Sequence, residues 1–179
     1  MGKYPDPNAS KEQFIFCHGY GCTEQTYAWF TPEQWEVVRN VFKTDSTNAE
    51  EERQKIAQAI VKMETYAGYL TKTDNDLPKA PIRKQSDYEL DCIDETVNST
   101  KYLTFLQEDG LLKFHKVGRP AYRGMVFDGM YPHNTATIIE EETKERFVVD
   151  TYVFAHATTP DIRPLKSWQR TRVEDLPKN

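Results

Sequence analysis

The chain has 179 residues, of which 38% are hydrophobic and 28% are charged, and its formal net charge is −5. This length suits one domain with its own core, and the composition argues against intrinsic disorder and against a transmembrane segment. Lysine and arginine are spread along the chain and form no basic stripe, which argues against nucleic-acid binding. We therefore expect a single domain over residues 1–179, with residues 1–13 as a flexible amino-terminal segment.

The first half of the chain is predicted to be mainly helical. The apolar run Phe14–Cys17 predicts a short buried strand, which ends at a glycine-rich turn. The sequence "TPEQ" predicts a capped helix from Pro32 to about Phe42. Apolar spacings of three and four predict a longer helix from Asn48 to about Leu70, with Thr47 and Glu50 as a capping box. The residues expected to face the core are Trp35, Val38, Ile56, Ala59, Ile60, Met63 and Ala67.

The second half is predicted to begin with one helix and to continue as an antiparallel sheet. Residues 71–87 contain two prolines and mostly polar side chains, which indicates a loop. A helix should follow from about Cys92 to a carboxy-terminal cap at Gly110. Its buried face is predicted to contain Ile93, Val97, Thr100, Leu103 and either Leu106 or Gln107. The segments "LLKFHKV", "RGMVFDG", "HNTATIIE" and "RFVVDTYVFA" are typical strands, so the fold class is α+β, with helices packed on an antiparallel sheet.

Two of the three cysteines lie close together in "CHGYGC". Its glycines permit a tight bend, which favours a disulfide between Cys17 and Cys22 in an oxidising compartment. Free thiols are the alternative to this disulfide. A metal site with His18 as a third ligand is not favoured, because zinc normally has four ligands and the sequence has no second cysteine pair, so we predict no metal. The disulfide would leave Cys92 as the odd thiol.

Cys92, His133 and Asp150 follow one another in the order helix, strand and next strand. A hairpin loop of two or four residues within "EETKE" would place His133 and Asp150 on the same sheet face. Asp150 would then hold one imidazole nitrogen and leave the other for the thiol. A thiolate attacks an acyl carbon, the imidazole moves the proton, and the carboxylate orients the imidazole. The order therefore predicts a catalytic triad.

Other residues near Cys92 have weaker functional interpretations. Gln85 is a candidate oxyanion donor, together with the backbone N–H of Cys92 at the helix start. Asp94 is a candidate ligand for a substrate amine, whereas Glu95 is expected only to complement the helix dipole. Structural interpretations also stay open, because free cysteine is often buried as a small apolar residue and Asp150 can pair with an arginine or with backbone amides.

The quoted residues resemble a known superfamily. Cys92 in "DCIDETVNSTKYL", His133 in "PHNTATII" and Asp150 in "RFVVDTYV" resemble the transglutaminase-like branch of the papain-like cysteine proteases over residues 87–155. The combination of "CHGYGC", "DCIDET", "HNTA" and "PLKSW" is similar to uncharacterised bacterial proteins that are often exported. The resemblance implies a papain-like core and leaves open whether the reaction is hydrolysis or acyl transfer.

Two functional hypotheses follow. The first is a cysteine-dependent acyl-group enzyme that acts on a peptide, protein or cell-wall amide and uses no metal or organic cofactor. The second is a catalytically silent transglutaminase-like domain that binds a peptide or cell-wall fragment in the same cleft. We expect a periplasmic or exported protein whose signal segment is absent from this chain, and a cytoplasmic location stays open.

Overall fold

The computed structural model describes residues 6, 8–74, 86–124, 132–153 and 155–171. Helices and strands pack together in an α+β fold, which confirms the predicted class. In chain order the elements are β1 (Phe14–His18), β2 (Glu24–Ala28), α1 (Pro32–Asn40), α2 (Ala49–Thr71), α3 (Cys92–Glu108), β3 (His115–Arg123), β4 (His133–Glu140), β5 (Arg146–Val149) and α4 (Leu165–Trp168). Among the residues that the structure describes, no helix combines the length and the apolar character needed to cross a bilayer.

The strands form two antiparallel sheets. β1 pairs with β2 in a hairpin, and β3, β4 and β5 form a second sheet in which β4 is central. The pairing of β3 with β4 shifts between Gly118 and Ala121, where Pro120 has no N–H to donate. β2 was not predicted from the sequence, because its residues are mostly polar and exposed and so lack the apolar alternation of a buried strand.

Side-chain caps define the starts of the first two helices. Thr31 and Gln34 form the predicted capping box of α1. The box predicted for α2 is wrong: Asn48 is the N-cap and its side chain accepts from the N–H of Glu51 at 2.9 Å. Asn48 is a strong capping residue in its own right, so the cap lies one residue later than predicted.

Glu52 joins α2 to the segment that leads into β3. Its buried carboxylate accepts backbone N–H groups from Lys113, Phe114 and His115 at 2.7–3.1 Å, and the imidazole Nδ1 of His115 lies 2.9 Å away. Burial alone would raise the pKa of Glu52, but these hydrogen bonds hold it below its usual value. The contact fixes α2 relative to the three-stranded sheet.

The hydrophobic core lies between the helices and both sheets, and α3 contacts β1, β3 and β4. All seven core residues predicted for α1 and α2 are buried, as are Leu103 and Leu106 of α3. Ile93 was predicted to be buried but is 37% exposed. The buried face of the first half of α3 is instead polar, since it carries Asp94, Glu95 and Asn98. These side chains meet hydrogen-bonding groups that lie far away in the sequence.

Candidate functional site

The hairpin between β4 and β5 brings His133 and Asp150 together. The N–H of Glu140 donates to the carbonyl of Glu145 across a loop of four residues, 141–144. In this register His133 and Asp150 point to the same face of the sheet, which confirms the predicted parity. His133 opens the central strand, and Asp150 directly follows β5. The sheet therefore sets both side chains in place.

The carboxylate of Asp150 is fully engaged in the interior. Both of its oxygens lie 2.9 Å from His133 Nε2, and its Oδ2 also accepts the indole N–H of Trp168 at 2.8 Å. His133 and Asp150 are each 1% exposed. A buried carboxylate requires such partners, because desolvation without them is costly. The hydrogen bonds fix both the Asp150 side chain and the imidazole ring.

Aromatic rings and a guanidinium surround this pair. The ring of Tyr152 lies 4.9 Å and the ring of Trp168 5.5 Å from the imidazole, measured between centroids. The guanidinium carbon of Arg123 lies 4.3 Å from the ring centroid of Trp168, and Nη1 of Arg123 donates to the backbone carbonyl of Trp168 at 2.8 Å. Trp168 lies in the motif "PLKSW" and had no predicted role. Nothing local in that motif indicates that its indole reaches a carboxylate 18 residues earlier.

The surroundings of His133 favour its protonated form. Burial lowers the pKa of this imidazole, but the charge and hydrogen bonds of Asp150, with a smaller contribution from Cys92, raise it to about 9. Nδ1 is buried and has no hydrogen-bond partner of standard geometry among the residues that the structure describes, although the Cys92 side chain is near enough to contribute to the raised pKa. The raised pKa means that the imidazole of His133 favours its protonated form at neutral pH, and the ring lies between a carboxylate and a thiol.

Cys92 is the first residue of α3 and is half-buried. The N-cap residue Asp91 accepts the N–H groups of Ile93 and Asp94 at 3.0 and 2.9 Å. The side-chain amide of Asn134 approaches the thiol, with 3.8 Å between Nδ2 and Sγ. The structure thus brings Cys92, His133 and Asp150 to one place, with Asn134 as a neighbour that the sequence analysis did not select.

The predicted disulfide between Cys17 and Cys22 is present, so neither sulfur is free to bind a metal ion. The loop that it closes wraps around Asp94: the N–H groups of Tyr20 and Cys22 donate to this carboxylate at 2.9 and 2.6 Å. All four residues 19–22 have positive φ, between 59° and 74°, and in this turn the N–H groups of Tyr20 and Cys22 face the same carboxylate. The disulfide loop is thereby attached to the first turn of the Cys92 helix.

Asp94 is fully buried and also accepts the N–H of Asp91 at 3.1 Å. Burial and the charge of Asp91 raise the pKa of Asp94 to about 7, although the backbone hydrogen bonds act in the opposite direction. A substrate amine, the ligand considered for Asp94 from the sequence, would have to displace these backbone contacts. In the observed geometry, the Asp94 carboxylate holds the disulfide loop against the start of α3.

Glu95 makes a second connection between α3 and the sheet. Its buried carboxylate accepts the hydroxyl of Thr151, which directly follows Asp150, and the same hydroxyl lies 3.2 Å from that of Ser99. The sequence analysis treated Glu95 as a helix-dipole acid. The structure shows that it also joins the helix of Cys92 to the residue next to Asp150.

Gln85, the candidate oxyanion donor, lies outside the described residues. Among the residues that are described, no group of three or more histidine, cysteine, aspartate or glutamate side chains is arranged to hold a metal ion. Comparisons with protein-family models, with curated proteins and with solved structures found no match to this chain.

Proposed function

We propose that the chain is a cysteine-dependent acyl-group enzyme in which Cys92 is the nucleophile, His133 the general base and acid, and Asp150 the orienting carboxylate. The observation that carries the proposal is the position of His133, which is bound through Nε2 by Asp150 and has Nδ1 left for the thiol. A protonated His133 beside Cys92 suits acyl transfer, because an imidazolium stabilises a thiolate and can then donate its proton to the leaving group.

The proposed reaction proceeds in two stages. The thiol proton resides on His133, and the Cys92 thiolate attacks the carbonyl carbon, so that an S–C bond forms as the C=O electron pair moves onto oxygen. Collapse of this intermediate breaks the C–N bond, and the departing amine takes the proton from His133. Water or an acceptor amine then attacks the thioester, gives a proton to His133, and releases the acyl group and the Cys92 thiolate.

We place the substrate among peptide, protein or cell-wall amides, in keeping with the resemblance to transglutaminase-like enzymes. This class is supported by the positions of the three residues: Cys92 begins α3, His133 begins β4, and Asp150 directly follows the neighbouring β5. The disulfide between Cys17 and Cys22 supports an exported or periplasmic location, because such bonds persist in oxidising compartments.

A burst experiment with p-nitrophenyl acetate tests the proposal. Rapid mixing of excess ester with the protein should release about one equivalent of p-nitrophenolate and leave an acetyl group on Cys92, located by peptide mass spectrometry. Cys92→Ser should abolish the burst, and His133→Ala should slow it by at least about 10²-fold. Asn40→Ala, which alters an exposed residue at the end of α1, is the control and should leave the burst unchanged. A wild-type protein that reacts no faster than free cysteine contradicts the proposal and favours the catalytically silent domain.

A further inference from the structure

Asn134 directly follows His133 at the start of β4, and its side chain is half-buried. Its amide nitrogen contacts Cys92 Sγ at 3.8 Å, and it makes no other side-chain hydrogen bond to the residues that the structure describes. The amide therefore lies beside the thiol, and within the described part of the chain no other group accepts from it.

A second donor lies at the same place. The capping carboxylate of Asp91 accepts the N–H groups of Ile93 and Asp94, which are the second and third of α3. The first N–H, that of Cys92, has no acceptor within the described part of the chain. Backbone N–H groups at a helix start are suited to binding negative charge.

We propose that Asn134 Nδ2 and the Cys92 N–H together form the oxyanion hole of this enzyme. This inference rests on the proposed function. When the thiolate adds to a carbonyl carbon, the S–C bond forms and the C=O electron pair moves onto the carbonyl oxygen, which becomes an alkoxide. The two donors beside the sulfur then stabilise the negative charge on this oxygen. When the intermediate collapses, the oxygen electron pair re-forms the C=O bond and the leaving group departs with the electrons of its C–N bond.

The distance favours this role over simple solvation of the thiolate. A separation of 3.8 Å is long for an N–H to sulfur contact, so the hydrogen bond to Sγ is weak in the resting protein. An oxygen on the carbon that is bonded to Sγ can lie nearer to the same donor. Asn134 therefore gains interaction energy mainly after attack, which is the condition for an effect on the rate.

Two probes of Cys92 separate the two roles of Asn134. p-Nitrophenyl acetate reacts through a tetrahedral oxyanion, whereas iodoacetamide alkylates the thiolate by displacement of iodide and forms no oxyanion. For Asn134→Ala we expect the acylation rate to fall about 10²-fold, as for the loss of one oxyanion donor, while the alkylation rate changes less than about threefold. Asn134→Ser, which keeps a short polar side chain that cannot reach as far, should behave similarly and covers the case in which the alanine variant does not fold. Asn40→Ala again serves as the asparagine control.

The possible results are distinct. Equal losses in the acylation and alkylation rates would show that Asn134 acts on the thiolate or on the fold. An unchanged acylation rate would show that Asn134 binds no oxyanion. Each of these results overturns the inference. In both cases a wild-type protein that alkylates quickly, together with a slow His133→Ala variant, leaves the proposed function standing. A wild-type protein whose Cys92 is no more reactive than free cysteine overturns the proposed function and, with it, this inference.

Discussion

Asp150→Asn keeps the size of the side chain but removes the charge that faces His133. The pKa of His133 is raised from 6.5 to about 9 against the opposing effect of burial, and Asp150 is the main cause of the increase. At about 1.4 kcal/mol per pKa unit, the increase corresponds to roughly 3 kcal/mol in favour of the imidazolium. Without the carboxylate only burial and the weaker influence of Cys92 remain, so we expect the pKa of His133 to fall below about 6.5 in the variant.

The assay is a titration of the imidazole signals by NMR, with His133→Ala used to assign the signal. The wild-type midpoint should lie near 9 and the Asp150→Asn midpoint below about 6.5. Repeating both titrations in Cys92→Ser removes the contribution of the Cys92 side chain to the pKa of His133. Asp161→Asn is the matched control, because Asp161 shares backbone hydrogen bonds with Asp150 while its carboxylate pairs with an arginine. A wild-type midpoint at or below 6.5, or equal midpoints in wild type and Asp150→Asn, would refute the reasoning.

The same pair makes stability depend on pH. The folded pKa of His133 lies above its unfolded value, so the folded state retains a proton that the unfolded state has lost. The stabilisation is fully present below about pH 6.5 and is lost as the pH rises through about 9. Urea unfolding at several pH values should therefore show a smaller difference between wild type and Asp150→Asn at pH 9.5 than at pH 6.

Three further changes test the contacts around the site. Trp168→Phe removes the indole donor to the Asp150 carboxylate, and we expect the free energy of unfolding in urea to fall by about 1–3 kcal/mol and alkylation of Cys92 to slow. Trp35→Phe, which also loses an indole-to-carboxylate hydrogen bond, should lower stability without slowing alkylation. Replacing Cys17 and Cys22 by serine should lower the free energy of unfolding by about 2 kcal/mol and increase hydrogen exchange in the first turn of α3. Unchanged exchange there would contradict the attachment of the disulfide loop to this turn. Glu52→Gln should lower stability more at pH 7 than at pH 3, because the contribution of a carboxylate with a lowered pKa is lost as the pH falls through that pKa. Thermal unfolding at both pH values measures this difference.

Local sequence patterns predicted the elements whose stability depends on apolar periodicity and capping. The core faces of α1 and α2 follow from spacings of three and four, and the capping box of α1 follows from "TPEQ". The approach of His133 to Asp150 was also predictable. Because side chains alternate between the two faces of a strand, the length of the hairpin loop decides whether the two residues lie on the same face.

The polar contacts of α3 were not predictable in the same way. Asp94 binds N–H groups that lie 72 and 74 residues earlier in the chain, and Glu95 binds a hydroxyl 56 residues later. Near a helix start an acid has a sufficient local explanation in the helix dipole, so its sequence position gives no sign of a distant partner. Burial of these acids also displaced Ile93 from the face that periodicity had assigned to it.

Asn134 was missed for a different reason. Strict alternation along β4 places it on the face opposite to His133, away from the thiol. At the first residues of the strand, where α3 crosses the sheet, both side chains nevertheless approach Cys92. A polar side chain next to a candidate catalytic histidine at a strand start is the signal that would have identified it.

The most direct test of the account is the rate of Cys92 alkylation by iodoacetamide between pH 5 and pH 9, compared among wild type, His133→Ala and free cysteine. If the imidazolium of His133 stabilises the thiolate, wild-type Cys92 reacts at least about tenfold faster than free cysteine at pH 6, and His133→Ala loses this advantage. Circular dichroism should show that the variant remains folded. If wild type, variant and free cysteine follow the same pH profile, His133 does not activate Cys92 and the proposed enzyme is contradicted.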